Sequence, residues 1–333
     1  MNMDAKTRKR YKEWRRRKII KRLATLMILL GILIGGHLIF EYVHDWNNHL
    51  ESTNEIYYEF PPLVTKPLTY DEVSFRVDSQ NALLFNRTTG QILFTHGADE
   101  RVYPASLTKI MTVLLGVELA PAQTMTVNAD FNQLLIAGAT VAGFSPGETR
   151  TLSEILHGAM LPSGADATAT IAYNIAGSYE EFVLLMNQRA AELGMDNTNF
   201  TNASGLHHPN HYTTANDMLI LLEYALNNQQ FRTVFTAQTY SFTYRTGELR
   251  NMISTMFANL DNYHFNGGQF LGGRTGFTNE AGRCLASLAN NGTDEFLLIT
   301  FGANPESGGY RSHIDDARTI FEYFLRPTNS GGE

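Results

Sequence analysis

A serine and a lysine three residues apart could together carry out nucleophilic chemistry. They are Ser106 and Lys109, in the segment YPASLTKIMT. Residues at this spacing share one face of a helix, so the hydroxyl and the amine can come close enough to exchange a proton. A serine attacks a carbonyl only when a neighbouring group takes its proton, and an amine with a lowered pKa can do this. The pair alone equally fits a helix cap beside a solvated lysine, because this spacing is common by chance.

Two later segments add a second hydroxyl and a cation in a fitting order. Ser163 lies in LPSGADAT, at the start of a predicted helix, and Arg274, Thr275 and Gly276 lie in LGGRTGFTNEAG, within a predicted strand. An SxxK pair, a second motif with a serine and a Lys-Thr-Gly triplet together form the signature of penicillin-binding proteins and class A β-lactamases. The three segments therefore predict acyl transfer through a serine.

Long stretches around these motifs resemble one family. They are YPASLTKIMT, TLSEILHGAMLPSGADA, MNQRAAELGMDNTNFTNASGLHHPNHYTTANDM and GGRTGFTNEAGRCLA, and the resemblance covers residues 75 to 327. The family is the D-alanyl-D-alanine carboxypeptidases, which are low-molecular-weight penicillin-binding proteins. This resemblance implies a serine hydrolase without a cofactor or metal, whose substrates are peptidoglycan stem peptides ending in D-Ala-D-Ala and whose covalent inhibitors are β-lactam antibiotics.

The resemblance also implies a role for each catalytic group. Ser106 is expected to attack the carbonyl of the penultimate residue, releasing terminal D-alanine, before water cleaves the acyl-enzyme. Lys109 is expected to take the proton of Ser106, and Ser163 to relay it to the leaving amine.

Substrate binding is implied for the third motif and the residue after it, Arg274, Thr275, Gly276 and Phe277. Thr275 and the cation at 274 are expected to hold the terminal carboxylate. The backbone amides of Ser106 and Phe277 are expected to form the oxyanion hole, which stabilises charge that develops near the transition state.

Two positions depart from the family pattern, because Ala165 replaces an asparagine in the second motif and Arg274 replaces the lysine of the third. Arginine is permanently charged and can bind a carboxylate through two parallel hydrogen bonds, so substrate binding is still expected. Ala165 lacks an amide that would contact Lys109 and the substrate. This leaves open a weakened or inactive peptidoglycan-binding scaffold of the same fold, and behind it a β-lactamase.

Other candidates have simpler interpretations. His207, His208 and His211 in GLHHPNHY could suggest a metal site, but no carboxylate or cysteine is suitably spaced. Asp166 fits a cap at a helix start better than a catalytic group. Cys284, the only cysteine, cannot form an internal disulfide and fits a buried strand position.

Hydrophobic periodicity predicts the elements that position these groups. We expect helices over 106–119, 152–160, 166–176, 179–193, 214–226 and 311–325. We expect strands at NALLF, QILFTH, QTYSFTYR, FLGGRTGF, CLASLA and EFLLITFGA. This order predicts an α+β fold, an antiparallel β-sheet flanked by helices with a helical subdomain. The resemblance implies that the fold is β-lactamase/transpeptidase-like.

The N-terminus differs sharply in charge from the rest of the chain. Residues 1–22 contain 11 Lys or Arg and 2 Asp or Glu, whereas the other 311 residues contain 15 and 31. The uncharged run LATLMILLGILIGGHLIF follows directly, which favours one membrane-spanning helix over a nucleic-acid-binding arm or a buried core helix. Because no small-x-small site follows the run, we expect an uncleaved anchor rather than a signal peptide.

These features predict a single-pass protein of the bacterial cell membrane with its N-terminus in the cytoplasm and its catalytic domain on the outer face. The predicted segments are a cytoplasmic basic segment (1–22), a transmembrane anchor (23–43), an extracellular spacer (44–75), a penicillin-binding serine peptidase domain (76–327) and a tail (328–333).

Overall fold

The computed structural model describes residues 67–128, 139–244, 246–306 and 311–326. Its strands are β1 (Leu68–Thr69), β2 (Asn81–Asn86), β3 (Gln91–His96), β4 (Thr124–Thr126), β5 (Thr149–Thr151), β6 (Thr239–Thr243), β7 (Leu249–Ile253), β8 (His264–Phe265), β9 (Gly268–Thr278), β10 (Gly282–Asn290) and β11 (Glu295–Ala303). Its α-helices are α1 (Lys109–Leu119), α2 (Leu152–Met160), α3 (Ala165–Ala176), α4 (Tyr179–Glu192), α5 (Ala215–Leu226), α6 (Gln229–Thr236) and α7 (Ser312–Leu325).

The central sheet of the described residues has seven strands in the order β1-β3-β2-β11-β10-β9-β8. Neighbours pair antiparallel except β1 with β3. The predicted α+β fold with an antiparallel sheet and flanking helices is therefore confirmed. Beyond Phe270, whose N–H bonds to Tyr263, β9 has no described strand partner on its outer side, so its 271–278 stretch is an edge of the sheet.

Helices cover both faces of the sheet, which explains why β10 and β11 read as nearly continuous apolar runs. Successive residues of a strand point to opposite faces. Leu297 and Ile299 accordingly join the larger core beneath α1 to α6, whereas Phe296 and Leu298 join the smaller core beneath α7. The sheet is thus a rigid layer between two apolar clusters.

Three local predictions differ from the structure. The helix expected from residue 106 begins as a 3-10 turn, Ala105–Thr108, and becomes α-helical at Lys109. Strand β6 pairs only with β7 in a separate two-stranded sheet, rather than joining the central one. The helix α6 was not predicted, because only Phe231, Val234 and Phe235 of its eight residues are buried.

The predicted basic segment (1–22), membrane anchor (23–43) and tail (328–333) lie outside the described residues, as does the spacer up to residue 66. Among the helices that the structure does describe, none combines the length and apolarity needed to cross a bilayer.

Candidate active site

The serine of the first motif lies in the 3-10 turn that precedes α1. A side-chain hydrogen bond stabilises the turn: the Thr108 hydroxyl donates to the carbonyl oxygen of Ala105 at 2.8 Å. Ala105 has a φ of +45°, an uncommon backbone conformation for a residue with a side chain. The turn also packs against β9, where a Cβ on Gly276 would lie 3.0 Å from the amide nitrogen of Ser106. Glycine at 276 therefore permits the close approach of nucleophile and edge strand.

Lys109 is buried directly beside the nucleophile. Its Nζ lies 3.3 Å from the Oγ of Ser106 and donates to the carbonyl oxygen of Ser204 at 2.5 Å. Burial lowers the pKa of Lys109 well below its ordinary value, and the charge of Arg274 lowers that pKa further, while Asp166 opposes them. Burial thus favours the neutral amine, which is the form that can accept a proton.

Ser163 completes a group of three hydrogen-bonding side chains. It precedes α3 with a φ of +71°, and its Oγ lies 3.1 Å from the Oγ of Ser106. The hydroxyl of Thr140 donates to its carbonyl oxygen at 2.8 Å. The structure therefore brings together Ser106, Lys109 and Ser163 as the sequence predicts, although the catalytic role of each remains a prediction.

Arg274 forms its hydrogen bonds inside the protein. Its side chain is fully buried, and its guanidinium donates to the carbonyl oxygens of Ser106 at 3.1 Å and Met160 at 2.7 Å, and to the Oγ of Ser163. It does not line the cavity in front of Ser106. The neighbouring residues Arg274 and Thr275 point to opposite faces of β9, and the predicted contact of Arg274 with a substrate carboxylate stays a prediction. Burial lowers its pKa to about 9, so it keeps its charge at neutral pH.

The remaining residues of the third motif do face the cavity, whose volume is about 330 Å³. Thr275 donates its hydroxyl to Thr255 at 2.7 Å, and Phe277 is 46% exposed at the rim. Thr275, Gly276 and Phe277 line the cavity beside Ser106 and Lys109. The oxyanion role expected of the Ser106 and Phe277 amides stays a prediction.

Asp166 organises a neighbouring loop and also accepts the N–H of Ala167 in the first turn of its own helix at 2.9 Å. Its carboxylate accepts N–H groups of Ala142, Gly143 and Phe144 at 2.8 to 2.9 Å. Burial raises the pKa of Asp166, although these N–H donors oppose that rise. The loop that Asp166 holds also carries Thr140, which bonds the backbone of Ser163. Asp166 therefore supports the site without touching the nucleophile.

The histidine and cysteine alternatives have structural explanations. His211 is buried; its Nδ1 accepts the N–H of Thr201 at 3.0 Å, and its Nε2 lies 2.7 Å from the hydroxyl of Thr108. Burial is the main reason that its pKa falls to about 3. No group of three metal-ligating side chains occurs in the part of the chain that the structure describes. Burial raises the pKa of Cys284 to about 12, which makes it a poor nucleophile.

Several contributors to the site were not predicted from the sequence. Ser204 acts through a backbone carbonyl, and its loop is shaped by the side-chain oxygen of Asn202, which accepts the N–H groups of residues 204–206. Because every residue has a backbone carbonyl group, the amino-acid sequence does not indicate contacts of this kind. Two further polar residues, Arg283 and His313, line the cavity. Arg283 follows the last residue of the third motif by seven residues, and nothing in its local sequence indicates a role in the site.

Comparison with known proteins agrees with this geometry. A family model described as D-alanyl-D-alanine carboxypeptidase matches residues 68–305. The D-alanyl-D-alanine carboxypeptidase DacF of Bacillus subtilis is 33% identical over 237 residues, which cover 68% of this chain and 58% of that protein. DacC of Escherichia coli is 29% identical over 241 residues, covering 69% of this chain and 58% of the relative. The chain thus spans less than two thirds of the length of these two relatives.

Solved structures show the same arrangement of elements. The crystal structure of the Streptomyces K15 DD-transpeptidase superimposes with a TM-score of 0.67 at 26% identity, and the match covers 75% of this chain and 98% of that one. The family match spans most of the chain and includes all three motifs. The chain therefore belongs to the D-alanyl-D-alanine carboxypeptidase family.

Proposed function

We propose that this protein is a serine DD-carboxypeptidase that removes the terminal D-alanine of peptidoglycan stem peptides. The observation that carries the proposal is the contact of the Ser106 hydroxyl with two groups, the Lys109 amine at 3.3 Å and the Ser163 hydroxyl at 3.1 Å. These distances are within the reach of proton transfer for a nucleophile and its base. All three side chains open onto one cavity.

The geometry supports a two-step reaction. In the first step, Ser106 Oγ bonds to the penultimate carbonyl carbon while its proton passes to Lys109. The carbon–nitrogen bond then breaks, and the leaving D-alanine amine takes a proton from Ser163, which regains one from Lys109. In the second step, water attacks the ester and its proton passes to Lys109. The carbon–oxygen bond to Ser106 then breaks, and Lys109 returns that proton to Ser106 Oγ, which restores the hydroxyl and the neutral amine.

Arg274 has an electrostatic part in this scheme. Its buried charge is the second cause, after burial, of the lowered pKa of Lys109. Its guanidinium also donates to Ser163 Oγ, which fixes the orientation of that hydroxyl. Arg274 therefore helps to keep the base neutral and positions the hydroxyl of the proton relay.

Two measurements test the function. A fluorescent penicillin should label the protein covalently, and a pentapeptide ending in D-Ala-D-Ala should release free D-alanine. Ser106→Ala should lose both activities, with a rate reduction of more than about 10³-fold. Ser241→Ala, which removes an exposed hydroxyl from β6, serves as the matched control and should leave both unchanged. Labelling that survives in Ser106→Ala contradicts the proposal.

A second candidate, a non-catalytic peptidoglycan-binding protein, is favoured by one observation. Ala165 is fully buried, and its backbone N–H is bonded to the carbonyl oxygen of Thr140 at 2.8 Å, so no side-chain amide reaches Lys109 from this position. This candidate predicts binding of the pentapeptide without release of D-alanine. Rapid turnover of a chromogenic cephalosporin would instead indicate a β-lactamase.

We also propose that the enzyme is tethered to the outer face of the bacterial membrane through residues 23–43, with 1–22 in the cytoplasm, 44–75 as a spacer and 76–327 as the catalytic domain. The basic block followed by an uncharged apolar run supports this orientation. Added protease should digest the catalytic domain on intact spheroplasts, while a tag at residue 1 stays protected. A tag that is equally accessible contradicts the orientation.

A further inference from the structure

A chain of hydrogen bonds runs from a buried histidine to the peptide bond in front of the nucleophile. The Nδ1 of His211 lies 3.0 Å from the backbone nitrogen of Thr201, and its Nε2 lies 2.7 Å from the hydroxyl oxygen of Thr108. The Thr108 hydroxyl in turn lies 2.8 Å from the carbonyl oxygen of Ala105. His211 and Thr108 are both buried, so the protein shields this chain from bulk water.

The two ends of the chain fix the direction of every hydrogen bond in it. A backbone N–H can only donate and a carbonyl oxygen can only accept, so the Nδ1 of His211 accepts from Thr201. Burial, the main cause, lowers the pKa of His211 to about 3, and the ring is therefore neutral at neutral pH. Its single proton lies on Nε2, which donates to the Thr108 oxygen. The one hydroxyl proton of Thr108 then goes to Ala105.

The carbonyl group at the end of this chain belongs to a peptide unit that also faces the reaction. The C=O of Ala105 and the N–H of Ser106 are the two ends of one planar trans peptide group, and they point in opposite directions. A bond that fixes the carbonyl oxygen therefore also fixes the direction of the Ser106 N–H, which is an expected donor of the oxyanion hole. The same bond polarises the peptide group and strengthens its N–H as a donor.

The backbone of Ala105 requires such a restraint. Its φ of +45° is unfavourable for a residue with a side chain and persists only where the surroundings fix it. Two groups do so here: the Thr108 hydroxyl, and Gly205, whose backbone lies so close that a Cβ there would overlap the Ala105 carbonyl group. Without the Thr108 bond this peptide group is free to relax, and the Ser106 N–H turns with it.

We propose that Thr108 and His211 are positioning residues that orient and polarise the Ser106 N–H towards the oxyanion of the reaction. His211 acts through Thr108, and Thr108 acts through the peptide group of Ala105, so neither side chain touches the substrate. This inference rests on the proposed DD-carboxypeptidase function. His211 lies outside all three motifs, and Thr108 occupies a position that the SxxK pattern leaves open.

The kinetic test separates acylation from the binding that precedes it, with benzylpenicillin as the probe. An oxyanion forms only during the reaction, so a misplaced donor should lower the acylation rate constant and leave the dissociation constant of the preceding complex unchanged. We expect Thr108→Val to lower the rate constant about 10- to 100-fold, which is less than the loss of a whole oxyanion donor. Thr108→Ser keeps the hydroxyl and should keep most of the rate.

Matched variants separate this role from general stability. The Thr170 hydroxyl is equally buried and donates to the carbonyl oxygen of Asp166 at 2.7 Å, so Thr170→Val should lower stability about as much but keep the acylation rate constant. His211→Gln can still donate to Thr108 through its amide, whereas His211→Phe cannot and should react more slowly. A Thr108→Val protein that reacts as fast as the wild type, or a Thr170→Val protein that is slowed as much, overturns the inference.

NMR tests the hydrogen-bond chain without catalysis. In the full chain labelled with 15N-histidine, the signal that disappears in His211→Gln identifies His211, and we expect a neutral ring with its proton on Nε2. A ring protonated on Nδ1, or on both nitrogens at neutral pH, overturns the inference. The backbone amide signal of Ser106 should shift more in Thr108→Val than in Thr108→Ser, and equal shifts also overturn it.

The two kinds of measurement distinguish this inference from the proposed function. If benzylpenicillin does not acylate the wild type but both NMR results are found, the catalytic function falls and the orientation of the Ser106 N–H by Thr108 and His211 stands. If the wild type is acylated but the NMR results are not found, the function stands and this inference falls.

Discussion

Two buried basic side chains next to one another are the most unusual feature of the site at the scale of single residues. Lys109 and Arg274 share Ser106 as a neighbour, since one contacts its hydroxyl and the other its carbonyl oxygen. Two positive charges in a desolvated site repel each other, and the group with the lower ordinary pKa gives up its proton first. The arrangement therefore forces Lys109, rather than Arg274, towards the neutral form.

Lys109→Met tests this interpretation through stability. The folded-state pKa of Lys109 is lowered, whereas the unfolded chain keeps the ordinary value near 10.5. Between these two values the unfolded state binds more protons, so the wild type loses stability as the pH falls. Methionine does not titrate. The stability of Lys109→Met relative to the wild type should therefore rise by up to about 1.4 kcal/mol per pH unit as the pH is lowered through that window.

Urea unfolding at several pH values between 7 and about 10 measures this difference. Lys109 is the only lysine after residue 66, so no other lysine side chain of residues 67–333 contributes. Arg250→Met is the control, because it removes an exposed cation and should give the same difference at every pH. A difference for Lys109→Met that is equally independent of pH would show that the amine is charged in the folded protein. The variant should also lose labelling by penicillin.

At the scale of elements, the site depends on loops that approach each other too closely for ordinary side chains. Gly205 follows Ser204, whose carbonyl oxygen accepts from Lys109. Its φ is +85°, and a Cβ at this position would overlap the carbonyl group of Ala105. The loop that carries Ser204 and the turn that carries Ser106 are thus in direct backbone contact.

Gly205→Ala should therefore lower the free energy of unfolding by more than the strain of a positive φ alone would. We expect a loss of about 2–4 kcal/mol of unfolding free energy, together with at least tenfold slower acylation, because the turn of Ser106 must shift. Gly194→Ala is the matched control: its φ is +79°, but nothing lies within 4 Å of the added Cβ. The control should lose only about 1 kcal/mol of unfolding free energy and should keep its acylation rate. Equal effects of the two substitutions would show that the contact with Ala105 does not matter.

The sequence predicts long periodic elements better than short ones. The bounds predicted for α2 and β11 agree with the structure. Each is a run of mostly buried residues with a clear start, the capping Thr151 before α2 and the turn at Asn291 to Asp294 before β11. The 3-10 turn of Ser106 was predicted as α-helix, since its apolar spacing continues into α1 without a break. Local periodicity does not reveal which hydrogen-bonding pattern the first turn adopts.

The sequence predicts which residues come together in the candidate site, but not which contacts they make there. Motif order was enough to place Ser106, Lys109 and Ser163 together. The surroundings of Arg274 were not predictable, because two of its three partners are backbone carbonyl oxygens, which every residue carries. A positively charged side chain next to Thr275 suggests a substrate contact. Only the alternation of β9 shows that the two residues point to opposite faces.

At the scale of the whole molecule, the two ends of the described chain are joined next to the cleft. Asp316 of α7 accepts the backbone N–H groups of Asp78 at 3.0 Å and Ser79 at 2.8 Å, and the Ser79 hydroxyl at 2.6 Å. His313 lies one turn earlier on the same helix and lines the cavity. The Asp316 carboxylate thus holds the helix that carries His313 to the wall of the cavity.

Asp316→Asn should destabilise the protein and weaken this wall. An amide keeps the shape of the side chain but turns donor hydrogens towards three existing donors, so we expect a loss of about 2–3 kcal/mol in urea unfolding. Asp315→Asn, a change at the neighbouring exposed position, should stay within about 0.5 kcal/mol of the wild type. Because α7 carries His313, which lines the cavity, Asp316→Asn should also slow acylation by a fluorescent penicillin, whereas Asp315→Asn should not. If the two variants are equally stable and react equally fast, the junction at Ser79 does not hold the cleft.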